Sequence, residues 1–277
     1  MRTLYVSDLD RTLLDGAGEV SAASAEKLNS AIEKGALFTY ATARSFDSSR
    51  RATTRLRLNL PVITYGGTIT ADPDTGAPHD LHRLDPTVVD SVLAACSRSS
   101  TMEPVWITVE DGTDWIRWRP EGATAGTEAF VGARAGDRRL RPIAAGDPLR
   151  GDSVVYVALI APRSELLQVR IALAKPLALT AHFLSEDPAT PGLDWLEFHD
   201  RAGTKAHAIR RLVAAIGSDR LIVFGDNHND LPMFEIADES HAVSNAVPEL
   251  KAIATSAIGH HTEDAVASWI AAHLAGC

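Results

Sequence analysis

Short apolar runs, each ending at a polar or glycine-containing segment, dominate both ends of the chain. Leu4-Tyr5-Val6 stops at Ser7-Asp8, and Ala36 to Ala41 stops at Thr42. Pro61 to Tyr65 stops at Gly66-Gly67, and Leu221 to Phe224 at Gly225-Asp226. Such runs read as strands buried on both faces. Between them the apolar period becomes helical: Leu28, Ala31 and Ile32 lie within Ser24 to Lys34, and Gly35 stands where a left-handed cap would close that helix. A polar helix over Phe46 to Leu58 and helices at Lys205 to Ile216, Pro232 to Ala237 and Glu263 to Leu274 follow from the same spacing. Strands alternating with helices predict a doubly wound, parallel α/β sheet of Rossmann-like type.

The pattern changes in the middle. Ala71 to His82 is rich in Asp, Pro, Gly and His and reads as a boundary. Pro86 to Ser97 reads as a helix. Val105 to Glu110 and Asp114 to Arg119 alternate like hairpin strands joined by Asp111-Gly112-Thr113. A strand at Val154 to Ile160, a helix at Ser164 to Leu173 and strands at Leu179 to Leu184 and Trp195 to Phe198 complete a separate α+β unit. Gly122 to Leu149 has weak periodicity and yields no assignment. The expected organisation is a core from 1–79 and 195–277, interrupted by an inserted α+β cap domain from 80–194.

A chain of 277 residues is long enough for that arrangement. Its formal net charge of −9 argues against non-specific binding to nucleic acid or an anionic membrane, both of which reward basic patches. Two cysteines, Cys96 and Cys277, suggest neither a disulfide framework nor a zinc site. The first residues hold no signal-peptide core. The apolar run Val154 to Ala161 is far shorter than the roughly 20 residues a membrane helix needs. A cytoplasmic protein is expected.

Chemistry-bearing residues sit where the strands end. Asp8 and Asp10 follow the first strand, and ligands of doubly wound sheets bind at such ends. Two carboxylates two residues apart suit a division of labour in which one attacks and the other moves a proton. Asp226 and Asp230, in Gly225-Asp226-Asn227-His228-Asn229-Asp230, follow another apolar strand. Four acids gathered in one cleft would repel unless a cation sat among them, and oxygen donors favour Mg²⁺. Asp230 also reads as a cap for the helix containing Pro232. Thr42-Ala43-Arg44 offers a hydroxyl and backbone N–H groups as an oxyanion cradle, or a plain helix cap. Lys205, in the first turn after Thr204, meets an unfavourable macrodipole there, which hints at a role in neutralising a phosphate and Asp8 together.

These motifs, in this order, resemble those of the haloacid dehalogenase-like phosphohydrolases, in particular their Cof-type branch of sugar-phosphate phosphatases. The family's acid-x-acid-x-Thr segment is matched by Asp8, Asp10 and Thr12, its Thr-Gly-Arg segment by Thr42-Ala43-Arg44, its lysine by Lys205, and its Gly-Asp-x-x-Asn-Asp segment by Gly225 to Asp230. Ala43 replaces a frequent Gly, and Gly66 a frequent Asn. The resemblance implies a magnesium-dependent phosphoric monoester hydrolase acting on a small phosphorylated metabolite through an aspartyl-phosphate on Asp8, with Asp10 as acid and base. It further implies a Mg²⁺ held by Asp8, the carbonyl of Asp10 and Asp226, with Asp230 acting through water. Thr42, Ala43, Asn229 and Lys205 would bind phosphate oxygens.

Alternation places Trp106 of the first hairpin strand on one face, and Trp115, Arg117 and Arg119 together on one face of the second. These four are the expected substrate-contacting residues of the cap; a solvated outer face is the competing reading. A phosphomutase would use the same aspartyl-phosphate. A phospho-accepting receiver protein shares the Asp, Thr and Lys, but has no acid two residues after the acceptor and no large insertion.

Overall fold

The computed structural model describes residues 2–98, 102–177, 180–186 and 191–276. In chain order the strands are β1 (Thr3–Ser7), β2 (Leu37–Tyr40), β3 (Val62–Thr64), β4 (Ile69–Ala71), β5 (Pro78–Leu81), β6 (Val105–Glu110), β7 (Thr113–Arg117), β8 (Val154–Ala161), β9 (Thr180–Glu186), β10 (Asp194–Asp200), β11 (Arg220–Gly225), β12 (Glu239–Ala242) and β13 (Ser256–Ala257). The chain divides into two compact units, Met1–Asp80 with Thr204–Cys277, and Leu81–Gly203.

In the first unit a parallel sheet runs in the order β13-β12-β11-β1-β2. Both faces of its central strands are covered. Leu4, Tyr5 and Val6 of β1 and Ile222, Val223 and Phe224 of β11 are almost completely buried, which is why these segments read as unbroken apolar runs. Register does the work of assembling a site: Ser7 pairs with Phe224 on one side and Tyr40 on the other, so β1, β11 and β2 finish level. A parallel bridge from Ala41 to Ile63 continues that edge toward β3. The residues following each strand therefore share one rim.

The helix Ala22–Glu33 is capped by Ser21, whose hydroxyl accepts the Ser24 N–H at 2.9 Å, and it buries Leu28, Ala31 and Ile32. The helix expected over Phe46 to Leu58 covers only Phe46–Ala52. The Asn29 side chain explains the early stop: its amide donates to the Arg55 carbonyl and its oxygen accepts the Arg57 N–H, both at 2.8 Å, which holds that stretch off the helix. The helix expected at Pro232 to Ala237 is the single turn Leu231–Phe234, and β12 follows it. Sequence periodicity missed β12 because Glu239-Ser240-His241 is polar. Its His241 is nonetheless buried, packed on the rings of Phe224 and Trp269 at 5.4 and 4.0 Å.

The second unit is an antiparallel sheet in the order β7-β6-β8-β10-β9. Helices Pro86–Arg98 and Arg163–Ala172 contribute Val88, Val92, Leu166 and Val169 to a core shared with Trp106, Val157, Leu159, Leu196 and Phe198 of the strands. Asp111 and Gly112 form the two-residue hairpin turn, with φ of 50° and 76°. Strand β10 pairs on both sides within this sheet, so the return to the core expected at 195 comes instead at Thr204. The stretch without periodicity contains a helix, Ala125–Gly132, capped by Thr124, and packs Phe130 on Trp195 at 5.4 Å. The start of the strand expected at Leu179 lies outside the described residues. The architecture is the α/β core with an α+β cap that the sequence pattern predicts. Among the described residues no helix is long and apolar enough to cross a membrane.

Candidate active site

Asp8 leaves β1 with its backbone N–H bonded to the Phe224 carbonyl at 2.9 Å, which ties the start of the first acidic motif to the start of the last one. Its carboxylate is buried beside those of Asp226 and Asp230; one oxygen from each lies within 4.8 Å of the others. Lys205, itself only 3% exposed, reaches into this group and donates to Asp8 at 2.6 Å and Asp230 at 2.7 Å. A cation in the first helical turn is accounted for: the two carboxylates outweigh the unfavourable end of the helix.

Asp230 is held from two sides. One carboxylate oxygen takes the lysine, and the other accepts the N–H groups of Asp226 at 2.9 Å and Asn227 at 3.2 Å. It thus reaches back to brace its own loop and does not cap the helix that follows. Gly225 makes room for it, since a Cβ there would lie 2.6 Å from the carboxylate oxygen.

The charges do not balance. Burial pushes Asp8 well above the ordinary carboxylate range; Lys205 opposes that, while Asp230, Asp226 and Asp10 add repulsion. Burial, followed by repulsion from Asp230, pushes Asp226 up to about 7, against the pull of Lys205 and Arg11. Burial would discharge Lys205, but Asp230 and Asp8 raise its pKa and keep it an ammonium. Three buried carboxylates facing one buried ammonium form a site short of positive charge, with oxygen donors only. That donor set fits a hard divalent cation.

Asp10 is placed differently. It is exposed at the rim, and the guanidinium of Arg44 grips both its oxygens: Nε at 2.9 and 3.1 Å, Nη2 at 2.6 Å. Thr42 is fully buried and its hydroxyl accepts the Arg44 N–H at 3.1 Å; Ala43 is exposed between them. Asn229 is half-buried, its side chain engaged by no described residue. The turn Tyr65–Gly67 docks on this loop through Tyr65 N–H to the Arg44 carbonyl and Gly66 N–H to the Thr42 carbonyl. Gly67, at φ 111°, packs against the backbone of Thr204; a Cβ would sit 2.1 Å from that residue's carbonyl carbon.

Asp8, Asp226, Asp230 and Lys205 are thus brought together, with Asp10 and Thr42 at neighbouring strand ends. Arg44 and Gly67 are the residues whose parts sequence reasoning missed, although Arg44 lay inside a quoted motif and the pair Gly66-Gly67 signalled a tight turn. In the second unit the four aromatic and basic residues do not form one open face. Trp106 is fully buried in the cap core, between strands and helices, and presents no ring to a ligand. Trp115 is half-buried under the Arg141 guanidinium at 4.6 Å, and Arg117 lies 3.5 Å from Glu110. Arg119 donates to the carbonyls of Ala144 and Asp147.

A family profile described as haloacid dehalogenase-like hydrolase matches residues 5–127 and 157–270. The chain belongs to that family. An HMP-PP phosphatase from Cronobacter sakazakii is 25% identical over 98% of this chain and 95% of its own length. The 5-amino-6-(5-phospho-D-ribitylamino)uracil phosphatase of Bacillus subtilis is 24% identical over 96% of each chain. A haloacid dehalogenase-like hydrolase of known structure from Bacteroides thetaiotaomicron superposes with a TM-score of 0.77 at 25% identity, covering 98% of each chain. These likenesses run through both units, inserted cap included, and the chain is a phosphatase of the haloacid dehalogenase-like family.

Proposed function

We propose that the protein hydrolyses small phosphate monoesters, sugar phosphates or related metabolites, through a covalent phosphoryl-enzyme on Asp8, with Mg²⁺ as cofactor. The observation that carries this reading is the Lys205 bridge between Asp8 and Asp230 beside Asp226, which leaves one buried carboxylate flanked by its charge partners. Asp8 attacks phosphorus in line, and the bond to the ester oxygen breaks. The departing alkoxide takes a proton from Asp10. Water then attacks the acyl phosphate while Asp10 removes its proton, the bond from phosphorus to Asp8 breaks, and phosphate and the free carboxylate are restored.

Lys205 holds the attacking oxygen and offsets charge on the transferred group. The Thr42 hydroxyl, the Ala43 N–H and Asn229 orient its equatorial oxygens. Mg²⁺, held by Asp8, Asp226 and the carbonyl of Asp10, with Asp230 acting through water, would supply the remaining positive charge when bound. The cap unit selects the leaving group, with Trp115, Arg117 and Arg119 as the side chains to test; Trp106 serves its core. The relatives named for HMP-PP and for a ribitylaminouracil phosphate support a small organic phosphate as substrate.

The test is phosphate release from a panel of phosphorylated metabolites with Mg²⁺ and with chelator, without added bisphosphate, which separates hydrolysis from mutase transfer. Intact-mass detection of a phosphoryl adduct that accumulates in Asp10→Asn and is absent in Asp8→Asn supports the mechanism. Turnover by folded Asp8→Asn at the wild-type rate refutes it.

A further inference from the structure

The rim that carries Asp8 has an opposite edge, where β1, β2 and β11 begin. There the first unit holds a cleft of about 480 Å³, lined among others by Arg2, Lys34, Arg220, Tyr5, Leu37 and His273. Strand β1 runs from one edge to the other, which separates the cleft from Asp8 by roughly 15 Å. A space of this size suits a small organic molecule.

Its charge is unusual for a protein of net charge −9. None of its lining residues is acidic. Arg220 is answered by Glu239 behind it, and Asp219 takes the backbone N–H of Arg2 at 2.7 Å. The Arg2 guanidinium and the Lys34 ammonium meet no acid among the described residues, and both residues are exposed. Three helix C-termini also face this edge: Ala22–Glu33 ends at Lys34, Ala265–Ala275 carries His273 in its last turn, and Lys205–Ile216 ends at Gly217, beside the Arg2 guanidinium. Each brings about half a negative charge. The two cations without acidic partners suit a single carboxylate, while the helix ends and Asp219 nearby disfavour the larger charge of a phosphate dianion.

The floor of the cleft is held in place. Tyr5 is buried, its hydroxyl held by His273 Nδ1 at 2.9 Å, and the two rings meet edge-on at 5.9 Å. His273 in turn stacks on Trp269 at 4.9 Å. Thr3, Gly35, Ala36, Leu37 and the exposed Leu274 complete the lining. We propose that this cleft binds a small organic carboxylate with an apolar body, at a site separate from the phosphate site. The carboxylate pairs with Arg2 and Lys34, and the body lies on Leu37 and Leu274.

Calorimetric titration of the full chain with benzoate and phenylacetate tests this, with benzamide and phenylacetamide as uncharged counterparts and inorganic phosphate present to fill the phosphate site. Both carboxylates are expected to bind saturably, each at least tenfold more tightly than its amide. Trp269 is the one tryptophan of the first unit, so its emission should change on binding and the change should vanish in Trp269→Phe. The double variant Arg2→Gln with Lys34→Gln, both surface positions, should lose the tenfold preference while keeping its melting temperature and its phosphate-ester hydrolysis. Equal binding of acid and amide, absence of saturable binding by either acid, or an unaltered preference in the double variant would overturn the proposal.

Discussion

Arg44 binds Asp10 with both arms of its guanidinium, closing on the two carboxylate oxygens at 2.6 to 3.1 Å. The planar fork fixes the direction of a carboxylate that is otherwise half exposed to water. Arg44→Ala should therefore lower kcat by about tenfold or more, since about 1.4 kcal/mol of positioning suffices for that. KM should move less, and the melting temperature should hold. Arg44→Lys keeps the charge but not the fork, so it should recover part of the loss. Unchanged kcat in both variants would remove Arg44 from the reaction.

Lys205 holds the buried carboxylates in place, besides the catalytic role proposed for it. Replacing it with Ala leaves Asp8 and Asp230 buried without their shared partner. Breaking a buried ion pair from one side costs about 3–5 kcal/mol. Urea denaturation should show a loss of that order, and added Mg²⁺ should restore part of it. Wild-type stability in Lys205→Ala would mean the carboxylates are satisfied in another way.

Gly67→Ala should destabilise the protein. The left-handed φ and the backbone of Thr204 act together, and neither can yield cheaply because the obstructing atoms are main chain. A fall in melting temperature with loss of activity is expected, because the same turn supports the Thr42–Arg44 loop. A melting temperature equal to wild type would show that the turn can relax.

His199 makes the second unit acid-sensitive. Burial pushes its pKa from 6.5 down to about 4, against the Asp200 carbonyl and charge, with His82 adding to the depression. Above pH 6.5 the ring is neutral whether folded or unfolded and adds nothing. As pH falls below that value the unfolded chain takes a proton that the folded chain refuses, so stability drops until about pH 4. The full effect is about 3 kcal/mol. Melting curves between pH 7 and 4 should show this slope and lose it in His199→Gln; an unchanged slope would assign it to other groups.

Trp106 distinguishes a core role from a binding role in the cap. Trp106→Ala should cost about 3–5 kcal/mol, the range for a large buried aromatic. Trp115→Ala, half-buried under Arg141, should cost far less. Similar stability losses in the two would contradict the packing described.

Local physics is legible in a sequence, and here that covered the core strands, the capped helices and the acidic motifs at strand ends. Leu221 to Phe224 announces a strand buried on both faces, and Gly35, left-handed at φ 95°, marks the end of the helix before it. Partners distant in the chain were not legible. Asn29 ends a helix two dozen residues away, Asp230 turns back to brace Asp226, and Arg44 meets Asp10 across the gap between two strands. Alternation showed that Trp115 and Arg117 share one face of their strand, but only packing decided that Trp106 faces the cap's helices. Periodicity reports which residues share a face. Which face is covered, and by what, depends on contacts that exist only once the sheet has assembled.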